Sequence, residues 1–312
     1  MNTKGTWVPL SLLIILSLIW GTSFILIKQG LKAFDPEALG ALRVSAASIF
    51  LFPLAVTRLR QLNSDHYAKL LLSGLLSVFL PAFLFAFAQT RIASSVTGIA
   101  NSLTPLLTLI VGAVLFHQRF QKSSVIGILI GLTGTVILIT AGRGHATGGL
   151  SAYALLIIIA CIFYAINLNL VKYKIPDLQS LTITSVSIVL VGPPALIYLF
   201  AGTHFLETFE VKSGAWTAFG YIVFLALMST AVAIVLLNKL VKISSPLFTS
   251  SVNYFIPVVA VIWGVLDGER LYVSHYVGMA AIIGGVYLAN ARKSKGGLSL
   301  GKPDVGQHGE VV

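Results

Sequence analysis

Charge is scarce in this sequence. Only 10% of its 312 residues are charged and 56% are hydrophobic, whereas a soluble domain carries about 25% charged residues. So few charges cannot cover the surface of a soluble protein of this size. The single cysteine, Cys161, excludes an intrachain disulfide and a thiolate metal cluster. These shortages indicate a protein whose solvent is lipid.

The charge that is present is mostly basic, with a formal net charge of +11. A nucleic-acid-binding protein would gather its basic residues on one soluble face. Here Lys and Arg occur one to three at a time between apolar runs, which is typical of residues that fix the orientation of membrane spans. We therefore expect the lipid bilayer as a partner and no nucleic acid.

Apolar runs bounded by charge, Gly and Pro predict ten membrane-spanning helices. The first run, from Val8 to about Ile27, is too long for a signal peptide, and no small-residue cleavage site follows it. The chain is thus expected to be an all-α membrane protein. The predicted spans cover about residues 8–28, 37–57, 69–89, 94–116, 123–141, 150–172, 178–200, 215–238, 245–266 and 272–291.

The distribution of Lys and Arg predicts the orientation of these spans. With both termini in the cytoplasm, fourteen Lys and Arg fall on the cytoplasmic side and six on the other side, while Arg43 falls within a span. Cytoplasmic loops normally carry the excess of basic residues. We therefore predict a multi-pass protein of the inner (plasma) membrane with both termini cytoplasmic.

The two halves of the sequence resemble each other. Residues 20–28 match residues 164–172 at an offset of 144, and residues 101–105 match residues 253–257 at an offset of 152. The glycine pair Gly127 and Gly134 matches Gly278 and Gly285 at an offset of 151. These matches occur in the same order in both halves and at nearly the same offset, which indicates an internal duplication.

Each repeat holds five predicted spans, an odd number, so the second copy must enter the membrane from the opposite side. The fold class predicted is therefore ten transmembrane helices arranged as two inverted five-helix repeats. Inverted repeats recur in secondary transporters, whose halves rock about a site at their interface. We divide the chain into a first repeat, a connecting loop, a second repeat and a disordered cytoplasmic tail, at residues 1–141, 142–149, 150–291 and 292–312.

Several short motifs occur in the order found in one transporter family. They are Trp20-Gly21-Thr22-Ser23-Phe24 through Lys28, Leu42-Arg43, Ser94-Ser95 through Pro105, Ser244-Ser245 through Asn253 and Pro257, and Gly268-Glu269-Arg270. With these motifs the chain resembles the EamA-type transporters of the drug/metabolite transporter superfamily over nearly its whole length. The resemblance implies export or exchange of small metabolites through a central cavity lined by the first, third, fourth, sixth, eighth and ninth helices.

One departure from the family pattern stands at the end of the fourth span. The sequence there is His117-Gln118, where the family usually has Gly-Glu, as in the ninth span at Gly268-Glu269. Any role that this glutamate has in the family is therefore in doubt in the first half of the chain.

The candidate substrate-binding residues are polar or aromatic side chains within the spans. In the fourth span Thr97, Asn101, Thr104 and Thr108 are spaced by four, three and four residues, so they share one face of a helix. The stripe predicts either a cavity wall or hydrogen bonds between helices. The full set of predicted binding residues is Trp20, Ser23, Arg43, Thr97, Asn101, Tyr164, Asn167, Ser250 and Asn253.

Pro105 and Pro257 are predicted hinges. Each proline lacks an N–H and crowds the carbonyl four residues earlier, which belongs to Asn101 or Asn253. A kink would free this carbonyl to contact a substrate. The alternative is an ordinary kink of the kind that membrane helices tolerate.

Three other expectations concern single side chains. Arg43, a cation inside a span, is a functional candidate, and the alternative is pairing with loop carbonyls, Asp35 or Glu37. Trp20 and Tyr164 occupy matched positions and either stack on a substrate or simply pack. Two matched lysines, Lys28 and Lys172, are expected to anchor span ends at the membrane interface.

The middle of every predicted span lacks Asp and Glu, so a carboxylate proton relay has no obvious carrier and facilitated diffusion or exchange is favoured. The sequence suggests no catalytic nucleophile, metal site or cofactor. We predict an exporter or exchanger of amino-acid-like or amphipathic metabolites, as a monomer or homodimer. The alternatives are a sugar-phosphate or nucleotide-sugar carrier of the same fold, and a non-transporting membrane sensor.

Overall fold

The computed structural model describes residues 4–59, 62–118, 122–140 and 152–290, and every regular element within these residues is helical. The predicted loop 142–149 and tail 292–312 lie outside the described residues. Ten main helices follow the order of the predicted spans, and we number them accordingly. Their bounds are Lys4–Gly30, Pro36–Leu59, Ser64–Gln89, Ser94–Phe116, Lys122–Thr140, Ala152–Tyr173, Ser180–Ala201, Ala215–Ile243, the consecutive pieces Pro246–Ser250, Ser251–Tyr254 and Ile256–Leu266, and Val273–Asn290.

Seven of the described helices, the first to fourth and the sixth to eighth, are long and apolar enough to cross a membrane. Crossing a hydrocarbon core of about 30 Å takes about 20 residues of helix. The ninth and tenth helices contain the shorter apolar stretches Ile256–Leu266 and Val273–Gly285, and the fifth has 19 residues. The all-helical membrane fold is thus confirmed, while the crossing of all ten helices stays a prediction.

The outer surface of the bundle is apolar and its interior holds polar side chains. Ile49, Val114 and Ile197 are exposed by 63%, 64% and 68%, whereas residues such as Asn101 and Asn167 are buried. A soluble protein mostly exposes its polar side chains and buries its large apolar ones. The reversed arrangement suits a protein surrounded by lipid.

Four helices contain a change of helical pitch, and these changes come in matched pairs. The third helix contains the π segment Leu75–Phe79, and the eighth contains the π segment Ala226–Val232, which begins 151 residues later. The fourth helix contains the 3-10 turn Asn101–Leu103, and the ninth contains Ser251–Tyr254. Such interruptions are frequent at functional sites. From the sequence, kinks were predicted at Pro105 and Pro257 in the fourth and ninth spans, but no interruption was predicted in the third or eighth.

The two halves of the chain pack along each other. The second helix lies along the seventh, the fourth along the sixth, the first along the ninth and the fifth along the tenth. A Cβ atom on Gly285 would lie 2.5 Å from the carbonyl oxygen of Gly127 and 2.5 Å from the nitrogen of Gly131. The fifth and tenth helices therefore cross at small residues, with their backbones touching.

The end of the ninth helix is shaped by a glycine. Gly268 has a φ of +80°, and the N–H of Glu269 donates to the carbonyl of Gly264 at 2.8 Å. These are the features of a helix end closed by a left-handed residue, a position where glycine carries no steric penalty. The turn directs Glu269 back towards the bundle.

Candidate functional site

A cavity lies between the two halves of the bundle. Its empty space, including the open space at its mouth, is about 740 Å³. All four helices that change pitch contribute to its wall. The lining residues are Trp20, Ser23, Phe24, Ile27, Arg43, Ser77, Phe85, Asn101, Thr104, Tyr164, Asn167, Leu168, Ser229, Ile234, Leu237, Thr249, Ser250 and Asn253.

Eight of the nine predicted binding residues are brought together in this wall. The ninth, Thr97, is fully buried, and its hydroxyl donates to the carbonyl of Ala93 at 3.0 Å. Thr97 thus bonds to the backbone at the start of its own helix and lies outside the cavity wall. That the other eight contact a substrate stays a prediction.

Asn101 and Asn253 meet at the wall of the cavity. The side-chain nitrogen of Asn101 donates to the side-chain oxygen of Asn253 at 2.8 Å. The side-chain nitrogen of Asn253 donates in turn to the carbonyl of Ser250 at 3.0 Å. Because the two asparagines belong to the fourth and ninth helices, their hydrogen bond joins the halves of the chain at the site.

Pro105 and Pro257 lie at the start of the helical pieces that follow the two 3-10 turns. From the sequence, both prolines were predicted to free the backbone carbonyls of Asn101 and Asn253. In the first half this carbonyl is occupied, because the hydroxyl of Thr104 donates to it at 2.8 Å. The hinge role of both prolines stays a prediction.

One side of the cavity is aromatic. The rings of Phe85 and Tyr164 are stacked with centroids 6.0 Å apart, and Phe24 meets Phe85 edge-on at 5.7 Å. The indole N–H of Trp20 donates to the carbonyl of Ser229 at 2.9 Å, which fixes the orientation of its ring. All four aromatic side chains line the cavity, and we call them the aromatic wall: Trp20, Phe24, Phe85 and Tyr164.

Two serines that line the cavity were not predicted from the sequence. Ser77 and Ser229 lie in the two π segments, and the hydroxyl of Ser23 donates to that of Ser229 at 2.6 Å. The two serines are 152 residues apart, the same offset that relates Asn101 to Asn253. Extending that offset to the third and eighth spans would have found them.

Arg43 is the one charged residue among the described residues that line the cavity. Its Nε donates to the hydroxyl of Thr230 at 2.9 Å, and the residue is 8% exposed. In the described part of the chain neither Asp35 nor Glu37 pairs with it, and its two terminal nitrogens form no hydrogen bond. The pairing considered from the sequence is therefore not observed.

A cluster of polar residues outside the cavity joins three helices at one end of the bundle. One carboxylate oxygen of Glu269 accepts from the amine of Lys28 at 2.7 Å and from the hydroxyl and N–H of Ser94 at 2.7 and 3.0 Å. The other accepts from the hydroxyl of Ser95 and, at 3.0 Å, from its N–H. Glu269 thus caps the amino terminus of the fourth helix, where the helix dipole favours an anion. We call Lys28, Ser94, Ser95, Asp267 and Glu269 the carboxylate cluster.

The pKa of Glu269 reflects these contacts. Burial disfavours the ionised carboxylate and raises its pKa, but the hydrogen bonds from Lys28, Ser95 and Ser94 outweigh burial and hold the pKa at about 2. The carboxylate is therefore ionised at neutral pH. Lys28 also pairs with Asp267 at 2.7 Å, so it serves as an ion-pair partner in addition to the interfacial anchor that the sequence suggested.

Among the described residues of the first half, no carboxylate lies at the matched position. His117 has a φ of +52° and takes the left-handed position that Gly268 occupies at the end of the ninth helix. Gln118 follows it, and its amide nitrogen donates to the side-chain oxygen of Asn169 at 3.2 Å. Lys172, the match of Lys28, donates to the carbonyls of Val241, Lys242 and Ser244. The two ends of the bundle thus differ chemically.

Among the described residues no group of three or more His, Cys, Asp or Glu is placed to hold a metal ion. The cavity wall instead combines one cation, several amides and hydroxyls, and aromatic rings. Such a wall can bind a small molecule that has one polar end and one apolar end.

Known proteins that are similar to this chain are named as transporters. The model of the EamA-like transporter family matches residues 7–140 and again residues 151–291. An "Uncharacterized transporter" of Archaeoglobus fulgidus is 24% identical over 283 residues, covering 90% of this chain and 97% of the relative. The "Uncharacterized inner membrane transporter YedA" of Escherichia coli is 27% identical over 285 residues, covering 89% of each chain.

Two further comparisons agree with these. The "Uncharacterized transporter YetK" of Bacillus subtilis is 28% identical over 240 residues, covering 72% of this chain and 68% of the relative. A solved crystal structure superimposes with a TM-score of 0.64 at 18% identity, covering 95% of this chain and all of that chain. At that identity the superposition shows a shared fold.

Proposed function

Because this chain belongs to the EamA-like transporter family, we propose that it exports or exchanges small amphipathic metabolites through the central cavity. The family and the names of the relatives give the class, a membrane transporter. The observation that carries the role of the cavity is the 2.8 Å hydrogen bond between Asn101 and Asn253. It places matched residues of the two halves side by side at the cavity wall.

The proposed mechanism is alternating access by two inverted five-helix repeats, residues 1–141 and 150–291. Two observations support this division. The family model matches the chain twice, and the π segments and 3-10 turns recur at offsets of about 151 residues. In this mechanism the repeats rock about the cavity and open it to one side of the membrane at a time.

We propose that the carboxylate cluster closes the outer end of the pathway. Glu269 belongs to the second half, whereas Lys28, Ser94 and Ser95 belong to the first, so the cluster must separate when the halves part at this end. The excess of Lys and Arg in the loops supports both termini in the cytoplasm. That orientation puts the end of the first helix, and with it this cluster, on the outer face.

A sugar-phosphate or nucleotide-sugar carrier fits the cavity less well. Such substrates bring two negative charges and many hydroxyls, whereas the described lining offers one cation, Arg43, beside the aromatic wall. Because buried charges need partners, a dianion would be only half neutralised. The wall favours a smaller and more apolar substrate.

Removing either amide of the central pair tests the site. We expect Asn101→Ala and Asn253→Ala each to reduce transport about tenfold, the effect of losing a hydrogen bond worth roughly 1.5 kcal/mol. Counterflow in liposomes is measured with the compound whose extracellular level rises most on overexpression, alongside melting of the purified variants.

Ser102→Ala is the matched control, because Ser102 lies in the same 3-10 turn and its hydroxyl bonds only to the carbonyl of Ile99. It should transport normally. If both asparagine variants melt at lower temperature but transport normally per folded molecule, the pair only joins helices and the proposed site is wrong.

A further inference from the structure

The cavity wall holds hydrogen-bond donors without acceptors. Within the described residues the two terminal nitrogens of Arg43, the hydroxyl of Tyr164 and the side-chain nitrogen of Asn167 form no hydrogen bond. The side-chain oxygen of Asn167 already accepts from the hydroxyl of Ser73 at 2.7 Å. All three residues are lining residues, and Arg43 and Asn167 are more than nine-tenths buried. Unmet donors at a buried cation call for an anionic acceptor.

Acceptors for a positive group are largely occupied. The side-chain oxygen of Asn253 accepts from Asn101 at 2.8 Å, and that of Asn101 is contacted by Thr104 and Cys161. The described residues that line the cavity include no carboxylate. An ammonium group would therefore enter next to Arg43 without a counter-charge, which is costly in a buried site.

Arg43 also breaks the internal symmetry of the cavity. The first, third, fourth, sixth, eighth and ninth helices line it in matched pairs, and the second adds Arg43, while the seventh contributes no lining residue. The positive charge is thus placed to one side of the cavity. The aromatic wall, which includes Tyr164, adjoins it.

We infer that the substrate is a small organic monoanion, a carboxylate attached to a flat apolar group and lacking an ammonium. The carboxylate binds the terminal nitrogens of Arg43, with Tyr164 and Asn167 as further donors, and the apolar group lies against the aromatic wall. This inference rests on the proposed function and narrows it, because it excludes zwitterionic amino acids as preferred substrates.

The charge of such a substrate also accounts for export without a coupling ion. A monoanion moving outward follows an inside-negative membrane potential, and 100 mV sustains a concentration ratio of about 40 to 50. No carboxylate relay inside the spans is needed for this. Transport of the anion alone should therefore produce an electrical current.

Three compounds that share one ring and differ in charge test the inference. They are 3-phenylpropanoate with a carboxylate only, phenylalanine with both groups, and 2-phenylethylamine with an ammonium only. Binding to the purified protein is measured by calorimetry, and currents are recorded from proteoliposomes on a solid-supported membrane. We expect 3-phenylpropanoate to bind at least about tenfold more tightly than the other two and to carry current as a negative charge.

Arg43→Gln should weaken binding of 3-phenylpropanoate at least about tenfold, and Arg43→Lys should restore part of it. Lys32→Gln, which removes an exposed cation, should change nothing. Tyr164→Phe removes only a hydroxyl and should weaken binding a few-fold, which keeps the test decisive if Arg43→Gln does not fold.

Equal or tighter binding of phenylalanine or 2-phenylethylamine would overturn the inference, and so would unchanged anion binding in both Arg43→Gln and Tyr164→Phe. Failure of all three compounds to bind would overturn it as well. Transport of other compounds from a broad panel would still leave the proposed function standing. If the protein transported none of the compounds in the panel, both this inference and the proposed function would be contradicted.

Discussion

Replacing Glu269 with alanine is expected to destabilise the folded protein by about 3 kcal/mol, because removing one partner of a buried charged group strands the others. The Glu269 side chain is only 5% exposed. Its loss leaves the hydroxyls and N–H groups of Ser94 and Ser95 without their acceptor. Lys28 keeps Asp267 as a partner, so the stranded groups are chiefly those at the start of the fourth helix.

The matched control is Asp267→Ala in the same cluster. The Asp267 side chain is 24% exposed and accepts from Lys28 and Gln29, so its removal should cost about 1 kcal/mol or less. Melting of the three purified proteins in one detergent measures the difference. Equal melting of Glu269→Ala and the parent protein, or a larger loss in Asp267→Ala, would refute the assigned role of Glu269.

The difference in stability between Glu269→Ala and the parent protein should depend on pH. The folded-state pKa of Glu269, about 2, lies below the ordinary value of about 4.3. The stabilisation it provides is therefore fully present above pH 5 and is lost as the pH falls from there towards 2. The gap in melting temperature between Glu269→Ala and the parent protein should be constant between pH 5 and 8 and shrink on acidification.

The second large effect is expected at Gly285. A Cβ atom there would lie 2.5 Å from two backbone atoms of the fifth helix, the Gly127 carbonyl oxygen and the Gly131 nitrogen. Backbone atoms cannot swing aside as a side chain can, so Gly285→Ala must push the fifth and tenth helices apart. We expect a loss of about 2 kcal/mol in stability, the typical cost of overpacking, seen as a lower melting temperature.

The neighbouring glycine supplies the control. A Cβ atom on Gly284 would meet nothing within 4 Å, so Gly284→Ala introduces the same methyl group into open space. It should melt at or above the temperature of the parent protein. Similar losses in the two variants would show that the close helix crossing does not limit stability.

The features that lipid imposes could be predicted from the sequence. The helices follow the predicted spans in order, because a chain in hydrocarbon must satisfy every backbone group within its own helix. The offset of about 151 residues between the two halves also applies to residues that were not used to find it. It relates the two π segments and the lining serines Ser77 and Ser229. The matched residues of the cavity wall could thus be predicted from the repetition between the two halves.

What depends on contacts between distant segments could not be predicted. The Ser94-Ser95 and Gly268-Glu269 motifs were both recognised, but they are 174 residues apart and nothing local indicates that they touch. Thr97 shares a helical face with Asn101, yet it is fully buried one turn nearer the start of the fourth helix, outside the cavity wall. For Arg43, Asp35 and Glu37 were considered from proximity in sequence, whereas its partner is Thr230 on the eighth helix.

The central claim, that one cavity opens to each side of the membrane in turn, is tested most directly by labelling a cysteine in its wall. In a Cys161→Ala background, Ser77→Cys places a thiol at a lining position in the third helix. A membrane-impermeant maleimide is applied to right-side-out and to inside-out vesicles. Lys212→Cys and Asp65→Cys, at exposed positions assigned to the outer and inner faces, serve as sidedness controls. We predict that Ser77→Cys is labelled from both sides, Lys212→Cys only from outside and Asp65→Cys only from inside. Labelling of Ser77→Cys from one side alone would contradict the central claim.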